Sequence, residues 1–200
     1  MVRRRILLTA LAAAPLGSRR ARADATGAAT AFIDKLLHDL ITVVNGPGST
    51  DDKRAALEKI VDSTVDLNAV ARFCLGRFWR VATADQQREY TTLFHRVLVL
   101  DITSKVGEYK GVSFTMARTT PREDGVIVST IITLPNTAPS KADWLVSTAT
   151  GSPKLVDVIA EGVSLRLTQR DDYAGYLARN NNSVQALIDA MRQQAANPPS

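Results

Sequence analysis

Hydrophobic residues in the first part of the chain recur at helical spacing. From Phe32 to Val44 they appear every three or four positions, and Asn45-Gly46-Pro47-Gly48 then stops the repeat. The same period predicts a helix from Asp51 to Val61 and another that follows Asp66 as its N-cap and ends at Gly76.

A longer helix is predicted from Ala84 to about Tyr109. Thr83 and Gln86 have the spacing of a capping box, in which each side chain accepts a hydrogen bond from a backbone N–H at the helix start. A surface helix needs only one apolar stripe, yet the apolar residues between Leu93 and Ile102 cover more than half of the circumference. We expect the middle of this helix to be covered on several sides.

After Gly111 the pattern changes to alternation with many β-branched residues, which is typical of strands. Asp124-Gly125 and Gly151-Ser152-Pro153 have turn compositions, so much of the sheet should be antiparallel. Four strands are predicted, at residues 112–118, 126–134, 143–148 and 155–160.

Two further helices are predicted at the end of the chain, one after Thr168 and one after Ser183. The order of helices, then sheet, then helices predicts an α+β fold. We expect a four-stranded, largely antiparallel, curved sheet covered by several helices.

The N-terminus has the pattern of an export signal. Arg3, Arg4 and Arg5 precede an apolar run at residues 6–16, and small residues surround Ala23. We predict a signal peptide over residues 1–23. The general secretory route and the twin-arginine route both remain open, because the early arginine pair is compatible with either.

The leader accounts for the basic character of the sequence. Residues 1–23 hold six arginines and no acidic residue, so the rest has 19 basic against 20 acidic residues. Nucleic-acid binding, which needs a basic stripe, loses its support. A single cysteine, Cys74, excludes an internal disulfide. We expect one domain over residues 24–196 and a disordered tail at 197–200.

Motifs for catalysis are weak. The segment around Ser164 has an arginine where a nucleophile elbow needs its second glycine. His38 and His95 have no partners at metal-ligand spacing, and phosphate-binding glycine loops are absent. The sequence therefore predicts no metal, no cofactor and no enzymatic activity.

Two stretches resemble a known family. One is ARFCLGRFWRVATADQQREYTTLF, which follows Asp66-Leu67, and the other runs from Trp144 and Val146 through DVIAEGVSL to Arg170. Together they resemble the MlaC and toluene-tolerance family of periplasmic phospholipid-binding proteins, over about residues 28–195. A hopanoid-associated branch, HpnM, is similar too.

The resemblance implies an MlaC-like or NTF2-like fold that encloses an apolar cavity, and a single lipid-binding domain. It implies a periplasmic carrier, auxiliary to an ABC transporter, which moves a phospholipid or a hopanoid between an inner-membrane transporter complex and an outer-membrane lipoprotein or porin complex. Such transport would serve outer-membrane lipid asymmetry, with the lipid as cargo rather than cofactor. The candidate lipid-binding residues are Phe73, Trp79, Phe94, Val97, Leu98, Ile102, Val128, Ile132, Trp144, Val146, Val158, Val163 and Leu165.

Three polar residues near the last strand are expected to be structural: Asp157, Glu161 and Arg170. The two acids should lie at the sheet margin, where Arg170 or Arg77 can pair with them. Gly162 should let the chain turn, so that Val163, Leu165 and Leu167 close the cavity.

Two other interpretations stay open on the residues alone. An NTF2-like enzyme for a small apolar substrate would carry an acidic residue of raised pKa in its pocket. A structural adaptor would have a solid core and no ligand.

Overall fold

The computed structural model of the protein describes residues 17–104 and 106–197. Most of the predicted leader, residues 1–16, and the end of the predicted tail, residues 198–200, lie outside the described residues. The helices are α1 (Gly17–Asn45), α2 (Thr50–Thr64), α3 (Leu67–Leu75), α4 (Ala84–Ser104), α5 (Leu165–Arg179) and α6 (Val184–Ala196), with 3₁₀ helices at Gly76–Arg80 and Val106–Tyr109.

Side-chain caps fix where most of these helices begin. The predicted capping box is confirmed, because the Thr83 Oγ1 accepts from the Gln86 backbone N–H and the Gln86 Oε1 accepts from the Thr83 backbone N–H. Asp66 caps α3 and Ser183 caps α6, as predicted. Within the described residues, no helix is apolar over a long enough stretch to span a bilayer.

The predicted long helix is shorter than expected. It ends at Ser104, and Val106–Tyr109 forms a separate 3₁₀ helix that contains Gly107. Glycine costs about 1 kcal/mol in a helix interior relative to alanine, which favours a break there.

The sheet has five strands rather than the four predicted. They are β1 (Ser113–Arg122), β2 (Gly125–Thr133), β3 (Ser140–Ser147), β4 (Lys154–Ala160) and the two-residue β5 (Val163–Ser164). Each pairs antiparallel with the next, in the order β1-β2-β3-β4-β5. The pairing register shifts between Met116 and Thr119 in β1, and between Leu145 and Val146 where β3 meets β4. The prediction of an α+β fold with an antiparallel sheet is confirmed.

The interior consists of two apolar clusters. The sheet cluster joins α1 to one face of the sheet, through buried residues such as Ile33, Leu36, Val128 and Val146. The helical cluster joins α3, α4, α5 and α6 around Tyr90. β4 contacts both α3 and α5, so it lies where the two clusters meet.

A tight turn joins β4 to β5 and explains why a strand-like run contains Glu161 and Gly162. Ala160 pairs with Val163, which leaves a two-residue loop with φ of 51° at Glu161 and 87° at Gly162. Positive φ at both positions is typical of a type I′ hairpin turn, which matches the twist of antiparallel strands. Glutamate is strained there, because its Cβ approaches the following carbonyl.

Replacement of this strained residue should stabilise the protein. We expect Glu161→Asn to raise the free energy of unfolding by about 0.5–1 kcal/mol, because asparagine tolerates positive φ in I′ turns. Urea unfolding checks this. The control is Glu123→Asn, since Glu123 lies in the β1–β2 turn but outside the left-handed region. An equal gain in both variants would contradict the explanation.

Candidate functional site

The candidate lipid-binding residues divide between the two clusters. Nine of the thirteen belong to them: Phe73, Trp79, Phe94, Val97 and Leu98 lie in or against the helical cluster, and Val128, Trp144, Val146 and Val158 lie in or against the sheet cluster. The fold thus places most of these residues in or against two separate apolar clusters of the interior.

Aromatic rings fill the centre of the helical cluster. Tyr90 is fully buried, and its hydroxyl donates to the Ala71 carbonyl at 3.0 Å. The rings of Trp79, Phe94 and Tyr173 lie 6.0–6.4 Å from that of Tyr90, centroid to centroid. Burial raises the pKa of Tyr90, so this hydroxyl stays protonated and serves packing rather than acid–base chemistry.

Trp144 is the polar anchor of the sheet cluster. Its Nε1 donates to the Thr130 Oγ1 at 2.9 Å, and that hydroxyl donates to the Ala142 carbonyl at 3.2 Å. The hydrogen bond fixes the indole on the face that α1 covers, and Trp144 and Val158 are half-buried there.

Four of the candidates lie in neither cluster. Ile132 is half-buried on β2, whereas Ile102, Val163 and Leu165 are 37%, 57% and 52% exposed. Val163, Leu165 and Leu167 were expected to close the cavity. This is wrong, because all three lie on the surface. The tight Glu161-Gly162 turn brings β5 back beside β4, and α5 begins immediately afterwards.

The expected ion-pair partner of Asp157 is wrong. Its side chain is 4% exposed and pairs with the Arg166 Nε at 3.4 Å rather than with Arg170 or Arg77. The carboxylate also accepts hydrogen bonds from the Ser164 Oγ at 2.6 Å and from the Arg166 backbone N–H at 3.1 Å. A second carboxylate, that of Asp124, lies 3.6 Å from the Arg166 guanidinium.

Glu161 and Arg170 have different roles from those predicted. Glu161 is exposed, and its backbone N–H donates a hydrogen bond to the Lys141 carbonyl. Arg170 lies over the Phe73 ring at 5.1 Å and beside Gly76.

Sequence reasoning missed Ser164 and Arg166. Ser164 caps α5 by accepting from the Leu167 backbone N–H, so the helix starts at Leu165 rather than after Thr168. The alternation of Val163, Leu165 and Leu167 imitates a strand, and it hid the N-cap signal of the serine between them.

Two open grooves lie at the margins of the sheet. One, of about 490 Å³, runs between α1 and β1 and is lined by Asp34, His38, Ile41 and residues 112–116. The other, of about 450 Å³, lies at the β1–β2 turn beside Val146 and residues 147–149. Both are open to solvent rather than enclosed, and neither contains a cluster of catalytic side chains.

The candidate metal ligands and nucleophile have structural surroundings. His38 stacks edge-on against Phe114 with ring centroids 5.0 Å apart, and the His95 Nε2 lies 2.8 Å from the Asp62 Oδ1. Among residues 17–104 and 106–197, no three His, Cys, Asp or Glu side chains are placed to hold a metal ion. Cys74 is buried, and its Sγ donates to the Arg166 carbonyl at 3.5 Å.

A family model described as MlaC protein matches residues 32–193. The chain belongs to the MlaC family. The phospholipid-binding protein from Ralstonia solanacearum, solved in complex with a phospholipid, has a similar fold with a TM-score of 0.74. The two are 18% identical, and the match covers 84% of this chain and 97% of the other.

In this MlaC family member, the two stretches that resemble the family contact each other. Phe73 and Gly76 come from the first stretch, and the arginines of α5 that lie against them belong to the second. The resemblance therefore follows one spatial region, where α3 meets α5.

Loss of the Asp157 carboxylate should strongly destabilise the protein. We expect Asp157→Ala to lower the free energy of unfolding by about 2–4 kcal/mol, because Arg166 and Ser164 lose a buried acceptor. Asp124→Ala is the control, since Asp124 is half-exposed and its removal should cost less than about 1 kcal/mol. Equal losses in urea unfolding would show that Asp157 is not the dominant partner of Arg166.

Cys74 should be unreactive in the folded protein. Burial raises the pKa of its thiol to about 12, although the nearby Arg166 opposes this. The thiolate is the reactive species, so we expect alkylation at pH 8 to be at least about 100-fold slower in the folded than in the urea-unfolded protein. Mass spectrometry after iodoacetamide treatment measures this, and fast labelling of the folded protein would contradict it.

Proposed function

We propose that this MlaC family protein is a periplasmic lipid carrier, which holds the acyl chains of a phospholipid or a related lipid between its two apolar clusters. Family membership and the fold shared with a protein solved in complex with a phospholipid support this proposal. The observation that carries it is the division of the interior into a sheet cluster and a helical cluster.

The hydrophobic effect explains why such a carrier is needed. Each acyl methylene is worth roughly 0.8 kcal/mol, so two chains with about 30 methylenes would cost on the order of 20 kcal/mol to leave in water. A lipid that crosses an aqueous compartment therefore needs an apolar container.

An enclosed apolar cavity that stays empty in the absence of lipid would be a costly container. Apolar cavity volume costs about 24 cal/mol per Å³, so a chamber of about 500 Å³ would cost on the order of 12 kcal/mol. That is as large as the whole stability of a typical domain. A site between two layers that can separate avoids this cost, provided that each layer keeps its own packing.

The two clusters fit that requirement. The helical cluster has its own aromatic centre around Tyr90, and the sheet cluster has α1 as its own cover. The half-buried apolar residues that pack against each cluster, Phe73 and Leu98 on the helical side and Trp144 and Val158 on the sheet side, are the proposed lining. Acyl chains inserted there would replace contacts between the layers and leave both centres packed.

The rival interpretation as an enzyme is less well supported. It needs an acidic side chain that is free in an apolar pocket and has a raised pKa. In the described part of the chain the only buried carboxylate is that of Asp157, which already accepts from Ser164 and Arg166. At Asp52, hydrogen bonds from Ser49 lower the pKa of the carboxyl. At Asp143, partial burial raises the pKa, but hydrogen bonds from Lys141 and Ser129 outweigh it and the net shift is downward.

The proposal extends to partners and location. Residues 1–23 would be removed on export and residues 24–196 would form the carrier domain. Its partners would be an inner-membrane ABC transporter complex and an outer-membrane complex, between which the lipid moves. Release requires the two layers to loosen, because a closed site cannot hand over its contents.

Lipid analysis of the purified protein tests the proposal. We expect organic extraction followed by mass spectrometry to find about one phospholipid-class molecule per chain. Leu98→Gln and Val158→Gln should lower that occupancy at least about fivefold, because an amide without a partner costs about 1–3 kcal/mol in an apolar site.

Val81→Gln is the matched control, because Val81 is apolar, exposed and outside both clusters. It should retain as much lipid as the wild type. Wild-type protein that contains no lipid and takes none up from vesicles would refute the carrier function.

A further inference from the structure

Two arginines of α5 lie over one aromatic ring. Arg166 and Arg170 are one helical turn apart, and their guanidinium carbons lie 4.4 Å and 5.1 Å from the centre of the Phe73 ring. Two like charges in a partly buried place repel each other unless anions compensate them.

Among the described residues, carboxylates compensate one of the two charges and not the other. Arg166 has carboxylates at 3.4 Å, from Asp157, and at 3.6 Å, from Asp124. For Arg170, the residues that the structure describes provide no carboxylate within 4.0 Å and no hydrogen-bond acceptor for the guanidinium. Its neighbours in sequence, Asp171 and Asp172, are exposed and do not pair with it.

Gly76 allows Arg170 to take this position. A Cβ built at Gly76 would lie 3.2 Å from the Arg170 Nε and 3.5 Å from its guanidinium carbon. Gly76 also has a φ of 59° and a ψ of −130°, a conformation that favours glycine. The backbone at the end of α3 thus makes room for a half-buried guanidinium.

Apolar side chains flank the arginine pair on the helix surface. At 100° per residue, Leu165 and Leu167 lie on opposite sides of the row formed by Arg166 and Arg170. Both leucines are about half-exposed, at 52% and 48%. A cation without an acidic partner, between exposed apolar side chains, matches a ligand that has both an anionic group and hydrocarbon.

We propose that Arg170 binds the phosphate of a lipid headgroup, with Leu165 and Leu167 against the adjoining glycerol and upper acyl chains. This inference rests on the proposed carrier function. The guanidinium suits the task because its planar fork can donate two parallel hydrogen bonds to phosphate oxygens. The Phe73 ring holds the guanidinium in place through a cation–π contact.

Uptake of two lipids that differ only in the headgroup tests this assignment. The full mature chain is incubated with vesicles that contain a phosphatidylglycerol or a diacylglycerol with the same acyl chains, and lipid per chain is measured by mass spectrometry. We expect wild-type protein to prefer the phosphatidylglycerol. Arg170→Gln should reduce phosphatidylglycerol uptake about tenfold, because the hydrogen bonds from the guanidinium to the charged phosphate are lost, and should leave diacylglycerol uptake unchanged.

Two variants serve as controls. Arg179→Gln removes the same charge from the exposed last turn of α5 and should behave as wild type. Arg170→Lys keeps the charge without the fork and should fall between wild type and Arg170→Gln, and it replaces Arg170→Gln if that variant does not fold. The phosphorus NMR shift of bound phosphatidylglycerol should change in both Arg170 variants and not in Arg179→Gln.

Several outcomes would overturn the assignment. Equal phosphatidylglycerol uptake by Arg170→Gln and wild type would do so, as would a parallel loss of both lipids at unchanged thermal stability. If inorganic phosphate stabilises wild type but not Arg170→Gln, while phosphatidylglycerol uptake does not depend on Arg170, the residue binds free phosphate instead. If wild type takes up neither lipid, the carrier function itself fails; uptake of both lipids without preference refutes only the role of Arg170.

Discussion

The contact of Asp157 with Arg166 and Ser164 connects the sheet to the helical layer. A carboxylate buried on β4 accepts from the residue that caps α5 and from the backbone and guanidinium of Arg166. Because a buried carboxylate must be neutralised and hydrogen-bonded, the start of α5 has little freedom relative to β4. That restraint sets the rotation of α5, which places Arg166 and Arg170 over Phe73 and packs Tyr173 and Leu177 in the helical cluster.

The apolar interior is divided into two clusters rather than forming a single core. A protein interior is close-packed, so a single core cannot open without losing much of its stability. Here each cluster has its own centre, the helices around Tyr90 and α1 against the sheet, and half-buried apolar side chains pack against each of them. Under the proposed function, the polar contacts around Asp157 would keep α5 on β4 while a lipid replaces other contacts between the layers.

Local signals in the sequence predict the elements well and the contacts between them poorly. The Thr83–Gln86 capping box, the Asp66 and Ser183 caps and the antiparallel strand order follow from neighbouring residues, and all were predictable. The pairing of Asp157 with Arg166 depends on where α5 begins, which the alternation of Val163, Leu165 and Leu167 concealed. The separation of the lining residues into two clusters arises from the packing of distant segments, such as α1 on the sheet, and no local pattern encodes it. The position of Arg170 likewise depends on close packing beside Gly76, which is far away in sequence.

The two outer strands of the sheet differ in length, and this matters for the solubility of the chain. A long flat strand with free backbone groups invites pairing with another molecule, edge to edge. β5 offers only two residues for such pairing, and β1, although ten residues long, is interrupted between Met116 and Thr119 and carries Pro121 near its end. The irregularity twists the strand and proline removes a donor, so neither margin is a good template for aggregation. The sheet is thereby protected from the cross-β association that its β-branched composition would otherwise favour.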